Sequence, residues 1–162
     1  MAIRKADCSD LESCVDLLFV PELGMLYYPR KEFLRAELAA GIESDEVFVD
    51  TTADGETIRG IIWYQLQGLF HAFPYLHMIA VKEDYRNQGV GRSLMDFFEQ
   101  DSLQRGKNKL RTRAYLLVNG ANSAAREFYM GRGYQEVCSF ESLFRKNVTE
   151  ILLMKGVKKT GV

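Results

Sequence analysis

Between Tyr75 and Gln104 the chain passes from a strand-like run, through a glycine-containing turn, into a helix-like run. That order constrains the fold more than any other feature. Tyr75 to Val81 is β-rich and Ser93 to Gln104 has helical spacing; Tyr85-Arg86-Asn87-Gln88-Gly89-Val90-Gly91-Arg92 lies between them. A strand that turns into a helix N-terminus makes an anion site. The first backbone N–H groups of the helix have no intrahelical acceptor, and the helix dipole favours negative charge there. Gly89 and Gly91 leave the backbone open to close approach by a ligand. Arg86 and Arg92 add positive charge suited to a phosphate.

Two common phosphate motifs are excluded. A P-loop would end in Gly-Lys-Ser/Thr, which is absent. A dinucleotide fingerprint would place a third glycine three residues after Gly91, where Leu94 stands. What remains is Arg-x-x-Gly-x-Gly, Arg86 to Gly91. A second motif follows: Asn119-Gly120-Ala121-Asn122, then Phe128-Tyr129, Gly131 and Gly133-Tyr134. In this order and separation the two resemble the signatures of the GNAT superfamily of N-acetyltransferases. There, the first grips the pyrophosphate of coenzyme A. The second has asparagines after the fifth strand, a short helix carrying Phe-Tyr, and a Gly-aromatic pair opening the next strand. The resemblance extends upstream through Tyr75 to Val81. As a pattern of elements it covers Ala2 to Lys155, and it is residue-specific from Tyr75 to Tyr134.

Composition agrees with one globular domain spanning residues 1–162. The apolar fraction is 47%, normal for a packed core. A formal net charge of -1 gives no electrostatic case for nucleic acid or an anionic membrane as partner. Cys8, Cys14 and Cys138 are an odd set without metal spacing, so a reducing cytoplasm is the expected setting. Cys14 shares a helical face with Leu11, Val15 and Leu18 and reads as a core thiol. No secretory leader and no membrane-length apolar run is expected.

Periodicity and turn signals predict a short first strand at Ala2 to Lys5, then a helix opened by a Ser9/Glu12 capping box and ending near Val20-Pro21. Glu22 to Tyr28 reads as a loop. Pro29 fits the first turn of a second helix running to about Ala40, with Phe33, Leu34 and Leu38 facing the core. Glu46 to Thr52 and Ile58 to Leu66 form a hairpin through Asp54-Gly55. Gly68 to Pro74 interrupts before the fourth strand. The helix after the glycine turn buries Leu94, Phe97 and Phe98; Lys109 to Val118 is the fifth strand, with Leu110, Thr112, Ala114, Leu116 and Val118 on one face. Asn122 caps a short helix that stops at Gly131 or Gly133, and Tyr134 to Phe140 and Val148 to Lys155 close the chain. A helix between the fourth and fifth strands demands a parallel crossover, while the hairpins demand antiparallel pairs. The expected fold is therefore α/β (mixed α+β): a mixed, mostly antiparallel sheet of about seven strands flanked by helices. The resemblance adds an acyl-CoA N-acyltransferase fold in which strands four and five are parallel and splay apart.

The resemblance implies acetyl transfer from acetyl-CoA to a primary amine, direct and within a ternary complex. A Lys-like amine has a pKa near 10.4, so about one molecule in 2,500 is neutral at pH 7. Removing its proton costs roughly 4.6 kcal/mol if nothing helps. His77 is the candidate base, since histidine titrates near neutrality. Its setting, His77-Met78-Ile79-Ala80-Val81, is similar to that of arylalkylamine acetyltransferases, where a histidine at the matching place serves in proton removal. Those enzymes carry a second histidine two residues earlier, where Tyr75 stands here. Many other members use a glutamate on this strand, and none occurs from Tyr75 to Val81. Tyr129 matches the family's tyrosine that faces the coenzyme A sulfur as general acid. A phenol near pKa 10 protonating a thiolate near 8.5 is uphill by roughly 2 kcal/mol, small enough for a positioned donor.

By the same resemblance Ile79, Ala80 and Val81 pair with pantetheine, and the oxyanion is held by a backbone N–H near Ile79. Arg86, Asn87, Gln88, Gly89, Val90, Gly91 and Arg92 surround the pyrophosphate. Asn119 and Asn122 either bond the cofactor arm or cap the helix. The acceptor is chosen by Phe19 to Lys31 and Ser139 to Thr149. Tyr27, Tyr28, Phe73 and Tyr75 are candidate acceptor-binding residues, able to hold an apolar amine or a cation, or else plain core. Arg30, Arg145 and Lys146 suit a carboxylate, as an amino-acid or peptide acceptor requires. His71 reads as a solvated or pocket-edge residue, and no metal constellation is visible. A small-molecule or peptide amine is thus the expected partner, and a homodimer stays open. Two other readings remain: a GNAT-fold module that binds acyl-CoA without turnover, and an unrelated nucleotide-binding domain.

Overall fold

The computed structural model describes residues 2–159. In chain order the elements are β1 (Ala2–Lys5), α1 (Leu11–Leu18), α2 (Gly24–Tyr27), α3 (Lys31–Glu43), β2 (Val47–Thr51), β3 (Ile58–Leu69), β4 (Phe73–Val81), α4 (Val90–Gln104), β5 (Arg111–Asn119), α5 (Ser123–Gly131), β6 (Gln135–Glu141) and β7 (Thr149–Lys158). The strands form a seven-stranded sheet in the order β1-β2-β3-β4-β5-β7-β6. β1–β2, β2–β3, β5–β7 and β6–β7 are antiparallel. β4 and β5 are parallel and pair at Tyr75–Tyr115 and Leu76–Leu116. The mixed sheet with a parallel fourth and fifth strand is the fold expected from the order of elements.

The described residues fall into two compact units, 2–64 with 78–98 and 65–77 with 99–159. In the first, Cys14, Val15 and Leu18 of α1 and Leu34 and Leu38 of α3 pack on Val47, Val49, Ile61 and Trp63. Strand alternation sends Phe48 to the other side of β2. There it meets Tyr64 and Phe97, with ring centroids 5.4 and 4.8 Å away. α3 approaches Trp63 through Gly41, where an added Cβ would come 2.8 Å from the indole nitrogen. In the second unit Ala114, Leu116 and Val118 alternate inward on β5, alongside Ile151 and Leu153 of β7.

Several local expectations are corrected. The capping box lies two residues before Ser9/Glu12, on the 3-10 turn Cys8–Asp10 that leads into α1. Asp7 accepts from the Ser9 N–H at 2.8 Å and Asp10 accepts from the Asp7 N–H at 2.9 Å. Arg4 holds Asp10 from the other side at 2.6 and 2.9 Å, while Glu12 pairs with Arg35. The loop from Glu22 to Tyr28 contains the short helix α2. Phe33 is exposed, its ring under the Arg30 guanidinium at 4.7 Å, so only Leu34 and Leu38 of the predicted trio are core. Leu110 precedes β5 and is exposed. The interruption before the fourth strand is a two-residue turn: Phe70 and His71 both take φ of 54°, and the Ala72 N–H bonds the Leu69 carbonyl. This is the conformation that favours Asn-Gly in hairpins, here built without glycine, so β3 and β4 run further than their turn signals indicated.

Candidate active site

The first unit carries the anion turn. β4 ends at Val81, whose carbonyl accepts from Arg86 Nε at 3.3 Å. The Gln88 side-chain amide donates to the Asp84 carbonyl at 2.8 Å, folding the turn back on itself. Asn87 and Gly89 both take positive φ, 60° and 84°. A Cβ on Gly89 would meet no atom within 4 Å; glycine stands there for backbone conformation and an open approach rather than for packing. Val90 is buried and anchors α4 while Arg86, Asn87, Gln88, Gly89 and Arg92 are exposed. The first bond into the helix runs from the Ser93 N–H to the Gly89 carbonyl at 2.9 Å. The N–H groups of Val90, Gly91 and Arg92 therefore precede the intrahelical ladder and are available to an anion. Orphan donors, left-handed turns and exposed arginine at the rim suit this turn to an anion. Ile79, Ala80 and Val81, the expected pantetheine-pairing residues, are half-buried at the end of β4.

The second unit carries the candidate acid and base. Asn122 caps α5 by accepting from the Ala125 N–H at 3.1 Å, and Asn119 Oδ1 accepts from the Ala121 N–H at 2.9 Å. Both side-chain oxygens are thus engaged in local turns that aim the helix. Tyr129 is 8% exposed. Its ring packs edge-on against Phe128 and Tyr134, with centroids at 5.3 and 5.9 Å. Burial pushes its phenol pKa well above the usual value. A higher pKa makes complete proton loss to a thiolate more uphill than for a solvated phenol. Burial thus favours the neutral, protonated phenol at Tyr129.

Sequence reasoning missed the charged cluster beside Tyr134, the aromatic neighbour of Tyr129. Tyr134 is 1% exposed, and burial together with the nearby Glu99 charge raises its phenol pKa. Glu99 bonds Lys155 Nζ at 2.7 Å and Arg132 Nη2 at 3.2 Å. Lys155 Nζ also lies 5.8 Å from the Tyr134 ring centroid. No local motif links residues 99, 132, 134 and 155; only the fold assembles them.

His77 is exposed on β4, its ring 6.5 Å from that of Tyr75. Tyr75 is half-buried, and its phenol is pushed up to about 12 by burial and then by the charge of Glu150. Phe73 stacks edge-on with Tyr115 at 5.5 Å. Of the other candidate acceptor residues, Tyr28 is 8% exposed and donates its hydroxyl to Glu37 at 2.6 Å. Tyr27 packs at the margin of the first unit's core. These two belong to the first unit, whereas Phe73, Tyr75 and His77 belong to the second. His71 occupies the exposed turn, where its carbonyl accepts from Lys107 Nζ. Cys14 is fully buried with its thiol pushed up to about 12 by burial, which removes it as a nucleophile. Among the described residues no cluster of metal-ligating side chains occurs, and no helix is long and apolar enough to cross a membrane.

Comparison with known proteins accords with this geometry. No curated protein matches the sequence. Among solved structures, the chain is similar to Ard1 from Thermoplasma volcanium, with TM-score 0.77, 23% identity and 98% of each chain covered. It is similar to the ribosomal-protein-S18-alanine N-acetyltransferase of Escherichia coli, with TM-score 0.72, 18% identity, and 99% of this chain and 96% of that one covered. It is also similar to yncA of Salmonella typhimurium, a putative acetyltransferase solved with acetyl-CoA, with TM-score 0.72, 14% identity, and 100% and 96% covered. At these identities the likeness establishes the fold. The family model of the acetyltransferase (GNAT) domain matches residues 43–136, more than half of the chain and inclusive of both the anion turn and Tyr129. The chain belongs to the GNAT acetyltransferase family.

Proposed function

We propose that this protein is an acetyl-CoA-dependent N-acetyltransferase that acts on a primary amine by direct transfer in a ternary complex. The observation that carries the reading is the turn from Arg86 to Arg92. Its left-handed Asn87 and Gly89 open three helix N-terminal N–H groups to an anion beside exposed arginine. Acetyl-CoA supplies a thioester, whose C–S bond breaks as the amine nitrogen forms the new C–N bond. His77 takes the proton that the ammonium must lose before attack. Tyr129 presents its hydroxyl to the departing sulfur, which leaves as the thiol. Phe128 and Tyr134 pack against the Tyr129 ring, and Lys155 of the Glu99–Lys155–Arg132 cluster backs Tyr134. The main chain of Ile79 to Val81 aligns the pantetheine arm as an added strand would. The acceptor is a small-molecule or polypeptide amine, as the name of the Escherichia coli neighbour illustrates for its own substrate.

Retention of Tyr129 together with His77 favours turnover over acyl-CoA binding alone. Free-thiol release during incubation with acetyl-CoA and a panel of amines tests this. Amine-dependent release abolished by Tyr129→Phe supports the enzyme. Acetyl-CoA binding with no release for any amine would leave a binding module instead.

A further inference from the structure

One face of the sheet in the second unit carries a charge pattern that acetyl transfer itself does not use. Arg111, Arg113, Tyr115, Leu117 and Asn119 alternate onto the same face of β5. Their partners across the antiparallel ladder, Lys158 opposite Arg111, Gly156 opposite Arg113 and Glu150 opposite Asn119, share that face. Tyr75 joins it through its pairing with Tyr115, and His77 follows two residues later. The other face is the buried one: Ala114, Leu116 and Val118 point there, and Lys155 reaches Glu99 of α4.

At one end lies Glu150, a carboxylate only 2% exposed. At the other, Arg111, Arg113 and Lys158 are exposed, and among the described residues none of the three is in an ion pair. Elsewhere in this unit Arg105, Arg126, Arg132 and Lys155 each have an acidic partner. Arg111 and Lys158 sit directly opposite each other, an arrangement that disfavours folding. Beside Arg113, Gly156 presents no side chain and open space. Among the described residues, Arg111, Arg113 and Lys158 thus have no acidic side chain to offset their charge.

We propose that this strip selects the acceptor: a polypeptide with a free amino terminus and acidic side chains several residues downstream. The inference rests on the N-acetyltransferase reading and names the substrate class of that site. At about 3.3 Å per residue, Arg113 lies roughly 13 Å and Arg111 roughly 20 Å along β5 from the level of His77. An extended peptide with its amine at His77 brings its fourth to sixth following residues over the arginines. Guanidinium forks suit carboxylates. The Glu150 end attracts the ammonium, which orients the peptide along the strip. A polynucleotide matches the arginines but offers no aliphatic amine to His77.

Three peptides with an identical Ala-Ser start and with Glu, Gln or Lys at residues five to seven test this. Each is measured for binding to the coenzyme A-loaded protein by fluorescence anisotropy and for turnover with acetyl-CoA. Three exposed ion pairs together predict about tenfold tighter binding and higher kcat/KM for the Glu peptide than for the Gln peptide. The preference fades as salt rises from about 0.02 to 0.5 M. Arg111→Glu with Lys158→Glu reverses it in favour of the Lys peptide and leaves acetyl-CoA affinity unchanged. Equal binding of the Glu and Gln peptides overturns the proposal. So does tight binding of a single-stranded RNA 12-mer that the double variant abolishes while the Glu peptide fails to bind. Selective binding of the Glu peptide without acetylation of any peptide supports the strip and contradicts the enzymatic reading.

Discussion

Tyr129 combines burial, a raised phenol pKa and aromatic support on two sides. Tyr129→Phe should lower kcat about 100-fold, at the low end for a positioned proton donor, with acetyl-CoA affinity nearly unchanged; steady-state kinetics beside calorimetry read both. His77→Gln should displace the acidic limb of the pH–rate profile, and an unmoved limb would leave His77 structural. The phenols give a direct sign. Tyr75, raised to about 12, holds its proton more tightly in the folded state than a free tyrosine near 10. Its contribution to stability is complete below about pH 10 and is lost as pH rises towards 12. Cys14 behaves likewise, with a thiol raised to about 12 by burial. A thiol reagent at pH 8 should therefore titrate exposed Cys8 and Cys138 in the native protein and Cys14 only after unfolding. Tyr129 and His77 are candidates on the strength of their neighbours in sequence. Glu99, Lys155 and Glu150 could not be picked out that way, because their meaning depends on partners tens of residues away.

At the scale of elements, the turn before α4 was legible because its chemistry is local: two glycines, an asparagine and a helix start. Gly89→Ala puts a Cβ on a residue at φ 84°, at a cost of about 1–2 kcal/mol. It should weaken acetyl-CoA binding several-fold or more without unfolding the protein, since no neighbouring atom would be struck. Asn122→Ala should remove the α5 cap and lower stability by about 1 kcal/mol, measured as a shift in urea midpoint. Phe70-His71 makes a left-handed turn with residues that rarely do so. The capping box before α1 was misplaced because Asp7-Cys8-Ser9-Asp10 and Ser9-Asp10-Leu11-Glu12 both have its spacing. Arg4 decided between them by binding Asp10. α2, four residues long, is too short to show a period.

For the whole molecule, the parallel β4–β5 pair followed from the helix between them, and the hairpin from Asp54-Gly55. The position of β7 between β5 and β6 did not follow, since pairing of strands distant in sequence leaves no local mark. Nor did the like-charged Arg111–Lys158 pair, whose members are 47 residues apart in sequence and meet only through that pairing. The proposed N-acetyltransferase activity depends first on residues Arg86 to Arg92 holding the pyrophosphate of acetyl-CoA. Calorimetric titration with acetyl-CoA, ATP and NAD in separate runs tests it most directly. Micromolar binding of acetyl-CoA alone, weakened by Gly89→Ala, is the predicted result; no acetyl-CoA binding, or equal affinity in the Gly89→Ala protein, would contradict it.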